Sequence, residues 1–286
     1  MPERAQPSAL DTPPIRSIGP MLVVPRLPAL TSEMGPLYVV VGVFDGIHRG
    51  HSYLLGQLRR QARRRGARAA VVTFDAHPDE VLVGAAPPLV CDPDERLARL
   101  AAAGVDLTVV EHFDAALRST PYDAFIAMIT ERTHLDGILM TPEAAFGYER
   151  RGTPEALAEL GRQRGFEVVV VPSFTLAGRP ISSSAIRSAV AAGELDVAAR
   201  LLGRPYAVIG AAAPAAGGVR LTFELPVALP PRGRYLVGVE PFGSEQRSAT
   251  TPARARVDSE GVEIEDQTWD GVGRLRVEFV PRVESG

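Results

Sequence analysis

Lysine is missing from this chain: all 31 basic residues among its 286 are arginine. Lysine-based phosphate loops and Schiff-base chemistry are thereby excluded, and phosphate handling must rest on arginine, histidine or backbone amides. Cysteine is reduced to Cys91, so there is no internal disulfide and no thiol pair for zinc or redox chemistry; a small, semi-buried apolar residue is the expectation. No apolar run approaches the roughly 18 residues of a membrane span, and the first thirty residues hold Glu3, Asp11 and several prolines in place of a signal peptide's apolar stretch. A cytoplasmic protein without membrane association is expected. The net charge of −3 argues against a dedicated nucleic-acid binder. Arg59, Arg60, Arg63, Arg64, Arg65 and Arg68 crowd the predicted end of one helix, where cations complement the helix dipole.

With 45% hydrophobic and 23% charged residues, the composition is that of a globular chain with room for two medium domains. Residues 1–34 are rich in proline and small polar residues without periodicity and read as a flexible tail. Over residues 35–203, the apolar runs Leu37–Val43, Ala69–Phe74, Leu107–Val110, Gly137–Met140 and Val168–Val171 alternate with helix-like stretches. Helix starts are marked at Asp92-Pro93, Thr120-Pro121 and Thr153-Pro154. This alternation predicts an α/β domain with a five-stranded parallel sheet of Rossmann-like type, closed by helices over about 183–192 and 194–202. Residues 204–286 change to short Val- and Arg-containing runs broken by glycine and proline, with strand candidates at Tyr206–Gly210, Val219–Leu225, Arg234–Val239, Val262–Ile264 and Arg274–Val280. They predict a small antiparallel β unit.

Chemistry concentrates in Gly42-Val43-Phe44-Asp45-Gly46-Ile47-His48-Arg49-Gly50-His51, which follows the first of the five strands and leads into a helix. At a strand's carboxyl end, glycines let the backbone approach a ligand, and the next helix presents unpaired amides to phosphate oxygens. His48 and His51, three apart, are expected on one side of the first helical turn, where two imidazoles can donate hydrogen bonds to phosphate charge growing during nucleotidyl transfer. A zinc pair would need further ligands that are not evident, and the GxGxxG dinucleotide pattern is poorly matched.

These residues resemble the bacterial FAD synthetases, in which an FMN adenylyltransferase module precedes a riboflavin kinase module. The segment 42–51 matches the family's G-x-F-D-G-x-H-x-G-H signature. Val72-Thr73-Phe74-Asp75-Ala76-His77-Pro78 is similar to its T-F-x-P-H-P motif with Ala76 for the first proline, and Ile181-Ser182-Ser183-Ser184-Ala185-Ile186-Arg187 to I-S-S-T-x-I-R. Together these cover about residues 36–203. The resemblance implies an ATP:FMN adenylyltransferase with magnesium, ATP and FMN being its small-molecule partners. It implies ATP contacts from Gly42, Phe44, Asp45, Gly46, His48, Gly50, His51, Ser182, Ser183, Ser184 and Arg187, with His48, His51 and Arg187 catalytic. Phe74, His77 and Pro78 fall on the flavin side, although for His77-Pro78 a structural loop role stands beside the flavin one. Taken alone, the serines would read as helix caps and Arg187 as a solvated helix residue; their matched spacing to the first motif reverses both readings.

Two departures narrow the reading. Where the family has G-x-N-F-x-F-G or its aspartate form, this chain has Thr141-Pro142-Glu143-Ala144-Ala145-Phe146-Gly147; an ionised glutamate only accepts where an asparagine also donates, which leaves a different phosphate acceptor open. Arg150 or Arg151 in the following loop could touch a triphosphate. Leu202-Gly203-Arg204-Pro205-Tyr206 begins like the kinase module, but its G-x-P-T-A-N segment is absent and 211–218 is an alanine-glycine bridge. Loss of riboflavin kinase activity is expected, with Glu263 and Glu265 as barrel-surface carboxylates. A noncatalytic flavin- or nucleotide-binding regulator is the third possibility.

Overall fold

The computed structural model describes residues 13–243, 250–265, 267, 269, 271 and 273–281. Its backbone separates into two compact units. One comprises the described residues through Phe44, His51–Ala86 and Leu97–Phe174; the other comprises Asp45–Gly50, Pro87–Arg96 and the described residues from Thr175 onward.

The strands of the first unit are β1 (Arg16–Ile18), β2 (Met21–Val24), β3 (Leu37–Val41), β4 (Arg68–Phe74), β5 (Leu107–Glu111), β6 (Leu135–Met140) and β7 (Glu167–Val170). They form one sheet in the order β1-β2-β5-β4-β3-β6-β7. All neighbours pair in parallel except β1 and β2, which are antiparallel. The Rossmann-like parallel sheet is therefore present, and β3 to β7 are the five strands that the apolar runs predict. The sheet is nonetheless two strands wider than expected, because part of the supposed tail is folded. Met21, Val23 and Val24 are buried in β2, Leu22 pairs with Leu107 on β5, and Leu27, Leu30 and Met34 are buried beyond it. The proline-rich context hides a four-residue apolar run just long enough to pair with a strand already in place. Residues 1–12 of that tail lie outside the described residues.

The helices are α1 (Arg49–Arg65), α2 (Pro78–Leu82), α3 (Pro93–Ala102), α4 (Ala115–Arg118), α5 (Tyr122–Thr130), α6 (Pro154–Arg164), α7 (Ser183–Ala191) and α8 (Leu195–Leu202). Leu55, Leu58 and Ala62 form the buried stripe of α1; each buried leucine contributes about 1.5–3 kcal/mol. The α1 arginines end the helix as expected, with Arg63 and Arg64 exposed and Arg65 bonded through Nε to Glu167 at 3.2 Å. Asp92 accepts from the amides of Asp94 and Glu95, and Thr153 from that of Ala156. Thr120 differs: its hydroxyl donates to the Ala116 carbonyl at 2.9 Å, leaving Pro121 at the cap of α5. From β3 the chain steps to β4 and β5 on one side, then returns to β6 and β7 on the other. That reversal opens a crevice at the carboxyl ends of β3 and β6.

The second unit contains a two-stranded hairpin, β8 (Thr175–Leu176) with β9 (Arg179–Pro180), and a closed antiparallel barrel of β10 (Ala207–Ala215), β11 (Gly218–Thr222), β12 (Gly233–Pro241), β13 (Thr251–Asp258), β14 (Gly261–Glu265) and β15 (Arg274–Phe279). On β15, Leu275, Val277 and Phe279 point inward and the alternate residues do not, the period of a half-buried strand. Helices α7 and α8, which the sequence pattern places with the sheet, share the barrel's hydrophobic core through Ile186, Val190, Leu195, Ala198 and Leu202. The alanine-glycine bridge is simply the end of β10, a tight turn and the start of β11, with Ala215 paired to Gly218.

Candidate functional site

The sheet unit holds a cavity of about 670 Å³ at the crevice. Its floor is the carboxyl ends of β3 and β6, from Val40 to Phe44 and from Ile138 to Thr141. One side carries Phe74, Pro78, Leu82, Phe113 and Leu117, and the other Ala144 to Arg150. The aromatic side is built by a carboxylate. Asp75 accepts from the amide of Phe113 at 3.2 Å and lies 2.7 Å from His112 Nδ1, tying the loop after β5 to the end of β4. Phe113 is thereby set edge-on to Phe74, with ring centroids 5.2 Å apart. Thr73 fixes the segment after β3, its hydroxyl donating to the Val43 carbonyl at 3.0 Å. The cavity is thus largely apolar with few polar groups at its edges, which suits a planar heterocycle.

Of the residues assigned to ATP, Gly42, Phe44 and His51 line this cavity, and so do Phe74 and Pro78 from the flavin set. His51 packs against Phe44 at 4.9 Å between ring centroids. His77 acts locally: its Nδ1 accepts from the Asp79 amide at 3.2 Å and so caps α2, the structural role that sequence left open. Phe44 has φ 54°, a left-handed conformation that a bulky residue adopts only when its surroundings impose it. Two more non-glycine residues of this kind, Glu149 and Arg150 at φ 53° and 56°, border the cavity. Glu143 accepts from the Ser173 hydroxyl at 2.6 Å, which holds its carboxyl below the usual range.

Asp45 through Gly50 belong to the barrel unit. Asp45, 3% exposed, accepts from the amides of Val90 and Cys91 at 3.0 and 3.1 Å and pairs with Arg187 at 3.3 Å. Its backbone carbonyl accepts from the Ser183 hydroxyl at 2.8 Å. Ser182 caps α7 by accepting from the Ala185 amide, and Ser184 accepts from Arg187 at 3.4 Å. The hydroxyls of Ser182 and Ser183 therefore serve the chain itself, and Arg187 is committed to a buried carboxylate. Arg204 donates to the carbonyls of Gly46 and Ile47 at 2.7 and 3.1 Å, a clamp that the likeness of its segment to the start of a kinase module does not foretell. His48 is 4% exposed; burial first, and then the Arg204 charge, push its pKa down to about 4, so it is neutral near pH 7. It does not share the first turn of a helix with His51, because α1 begins only at Arg49 and Ile47 before it takes φ 38°. In the barrel, Glu263 pairs with Arg220 and, at 2.8 Å, with Arg256, and Glu265 with Arg234 at 3.0 Å. Glu263, 6% exposed, is therefore buried and not the surface carboxylate expected, and both acids are neutralised by arginines of the barrel. Among the described residues no cluster of three or more His, Cys, Asp or Glu side chains is placed to hold a metal, and no helix is long and apolar enough to cross a membrane.

A parallel sheet with a cavity at its switch point, followed by a closed antiparallel barrel, places this chain in the Rossmann-like class of nucleotide-binding folds. The FAD synthetase family model matches residues 31–185, more than half of the sequence, and the chain belongs to that family. It is similar to the bifunctional riboflavin kinase/FMN adenylyltransferase of Pseudomonas fluorescens, 28% identical over 90% of this chain and 78% of that protein. It is 34% identical to the protein of the same name from Listeria monocytogenes, over 60% of this chain and 55% of that one, and 33% to that of Haemophilus influenzae, over 60% and 56%. The matches to these last two thus span little more than half of the relatives' length. Among solved structures, a macrolide-efflux protein from Streptococcus pneumoniae superposes with a TM-score of 0.76 at 26% identity, over 92% of this chain and 91% of that one.

Proposed function

We propose that the protein is an ATP:FMN adenylyltransferase without riboflavin kinase activity. An oxygen of the FMN phosphate attacks the α-phosphorus of ATP in line; the bond to the bridging oxygen of the β-phosphate breaks, pyrophosphate leaves with the electron pair, and FAD forms. The observation that carries the reading is the cavity of the sheet unit. Residues that the motifs assign to ATP (Gly42, Phe44, His51) and to the flavin (Phe74, Pro78) line one volume, as a transfer between two bound substrates requires. His51 is the donor to the phosphate charge of the transition state. His48, held neutral by burial, lies with Asp45 in the segment that follows Phe44, which Arg187, held by Asp45, orients. Magnesium enters on the triphosphate of ATP, since this ion is commonly held by substrate phosphates with few protein ligands.

The kinase reading is disfavoured by the tight β10–β11 turn in place of a phosphate loop and by the neutralised Glu263 and Glu265. A second reading, adenylyl or cytidylyl transfer to another phosphate, draws on Glu143, which stands where the family has asparagine or aspartate, and on the departures of the kinase-like module. Pyrophosphate release measured across a panel of nucleoside triphosphates and phosphate acceptors separates the two. Release with ATP and FMN alone supports the first; release only with another acceptor replaces it.

A further inference from the structure

Along the aromatic side of the cavity lies a cation that neither the motifs nor the family match assigns. Arg118, the last residue of α4, lines the cavity beside Leu117, Phe113 and Leu82. One guanidinium nitrogen donates to the Val81 carbonyl of α2 at 3.2 Å, which holds the side chain along the wall. Among the described residues Arg118 meets no carboxylate, and the acid that borders the same cavity, Glu149, is paired with Arg151 at 2.6 Å. Complementing a helix dipole gives little reason for the charge, because α4 has four residues and the effect scales with aligned peptides. A guanidinium tethered at one nitrogen beside a planar apolar wall suits a flat heterocycle whose edge accepts hydrogen bonds.

We infer that Arg118 is a specificity-determining residue for the acceptor, donating to the carbonyl oxygens of the imide edge of the isoalloxazine ring. This rests on the flavin reading above. The contact selects a tricyclic imide over aliphatic phosphate esters, which carry the same reacting phosphate but no such edge.

The test is fluorescence-quenching titration of wild type and Arg118→Ala with riboflavin and with FMN, together with the midpoint potential of the bound riboflavin. Riboflavin has the ring without the phosphate. The substitution should weaken both flavins by a similar factor, about tenfold for a charge-assisted hydrogen bond, leave ATP binding unchanged, and make the potential of the bound flavin more negative, since a cation at that edge stabilises the reduced ring. Arg118→Lys, which keeps charge without the planar fork, should fall between. A loss confined to FMN would place the arginine at the phosphate and overturn the inference; so would unchanged affinities, or a loss of affinity with an unchanged potential, which would mark Arg118 as a support for α2 alone. Wild-type protein that binds neither flavin would defeat the acceptor assignment itself, an outcome visible before any variant is made.

Discussion

Acidifying the protein from pH 7 to pH 4 should remove about 3 kcal/mol of folding stability through His48 alone. The unfolded chain protonates this imidazole near its ordinary value of 6.5, whereas in the folded state burial and the Arg204 charge delay protonation until about 4. Between those values the unfolded state binds the extra proton, so stability is full above pH 6.5, falls as the pH drops, and levels off just below 4. A gap of about 2.5 pH at about 1.4 kcal/mol per pH gives about 3.5 kcal/mol in full, of which about 3 kcal/mol is lost by pH 4, where the folded imidazole is half protonated. Carboxylates titrate in the lower part of the same range, so the comparison must be differential. Urea denaturation at several pH values, followed by fluorescence of Trp269, which packs against the core of the same unit, would be measured for wild type and His48→Gln. The wild-type midpoint should fall more steeply between pH 6.5 and 4, with the curves parallel below. Parallel curves throughout the range would refute the claim that His48 is held neutral by its surroundings.

Other outcomes follow from the site. Gly46→Ala places a Cβ 2.9 Å from Val90 Cγ1 at φ +89°, and should destabilise by about 2–4 kcal/mol from backbone and packing strain together. Gly66→Ala, at φ +67° with nothing within 4 Å, should cost only about 1–2 kcal/mol; equal shifts in thermal midpoint would contradict the packing part of the argument. His51→Ala should lower kcat by about 10²–10³-fold with little change in thermal midpoint, and equal losses of both would make His51 structural. Glu143→Asn restores a donor on an exposed residue and should raise kcat/KM for ATP by about 3–10-fold; a decrease would mean that the glutamate is suited to a different nucleotide.

Which parts of this account could be read from the residues depended on how local their signals are. Strands β3 to β6 announced themselves as apolar runs between helix starts, because a parallel strand inside the sheet is buried on both faces; β7, an edge strand that is only partly buried, showed itself by its valine run alone. β2 carries the same signal over four residues only, among prolines, and its pairing with β5 is a long-range event. β13 escaped for another reason: Thr251-Pro252-Ala253-Arg254-Ala255-Arg256-Val257-Asp258 alternates correctly, with Ala255 and Val257 buried and the arginines exposed, but alanine is a weak strand former and proline argues against a strand. In the site, the motif segments were legible as sequence. Not legible was that the hydroxyls of Ser182 and Ser183 are spent on capping and on Asp45, or that Asp45 faces the amides of Val90 and Cys91, forty-five and forty-six residues on. Arg118 sits in no motif; only the shape of the cavity picks it out.

The most direct test of the central claim is chromatographic detection of FAD after incubating the purified chain with ATP, magnesium and FMN, alongside a parallel incubation with riboflavin. The account predicts FAD and pyrophosphate in equal amounts from FMN, and neither FMN nor FAD from riboflavin. No FAD from FMN, with the protein folded and binding ATP, would contradict it.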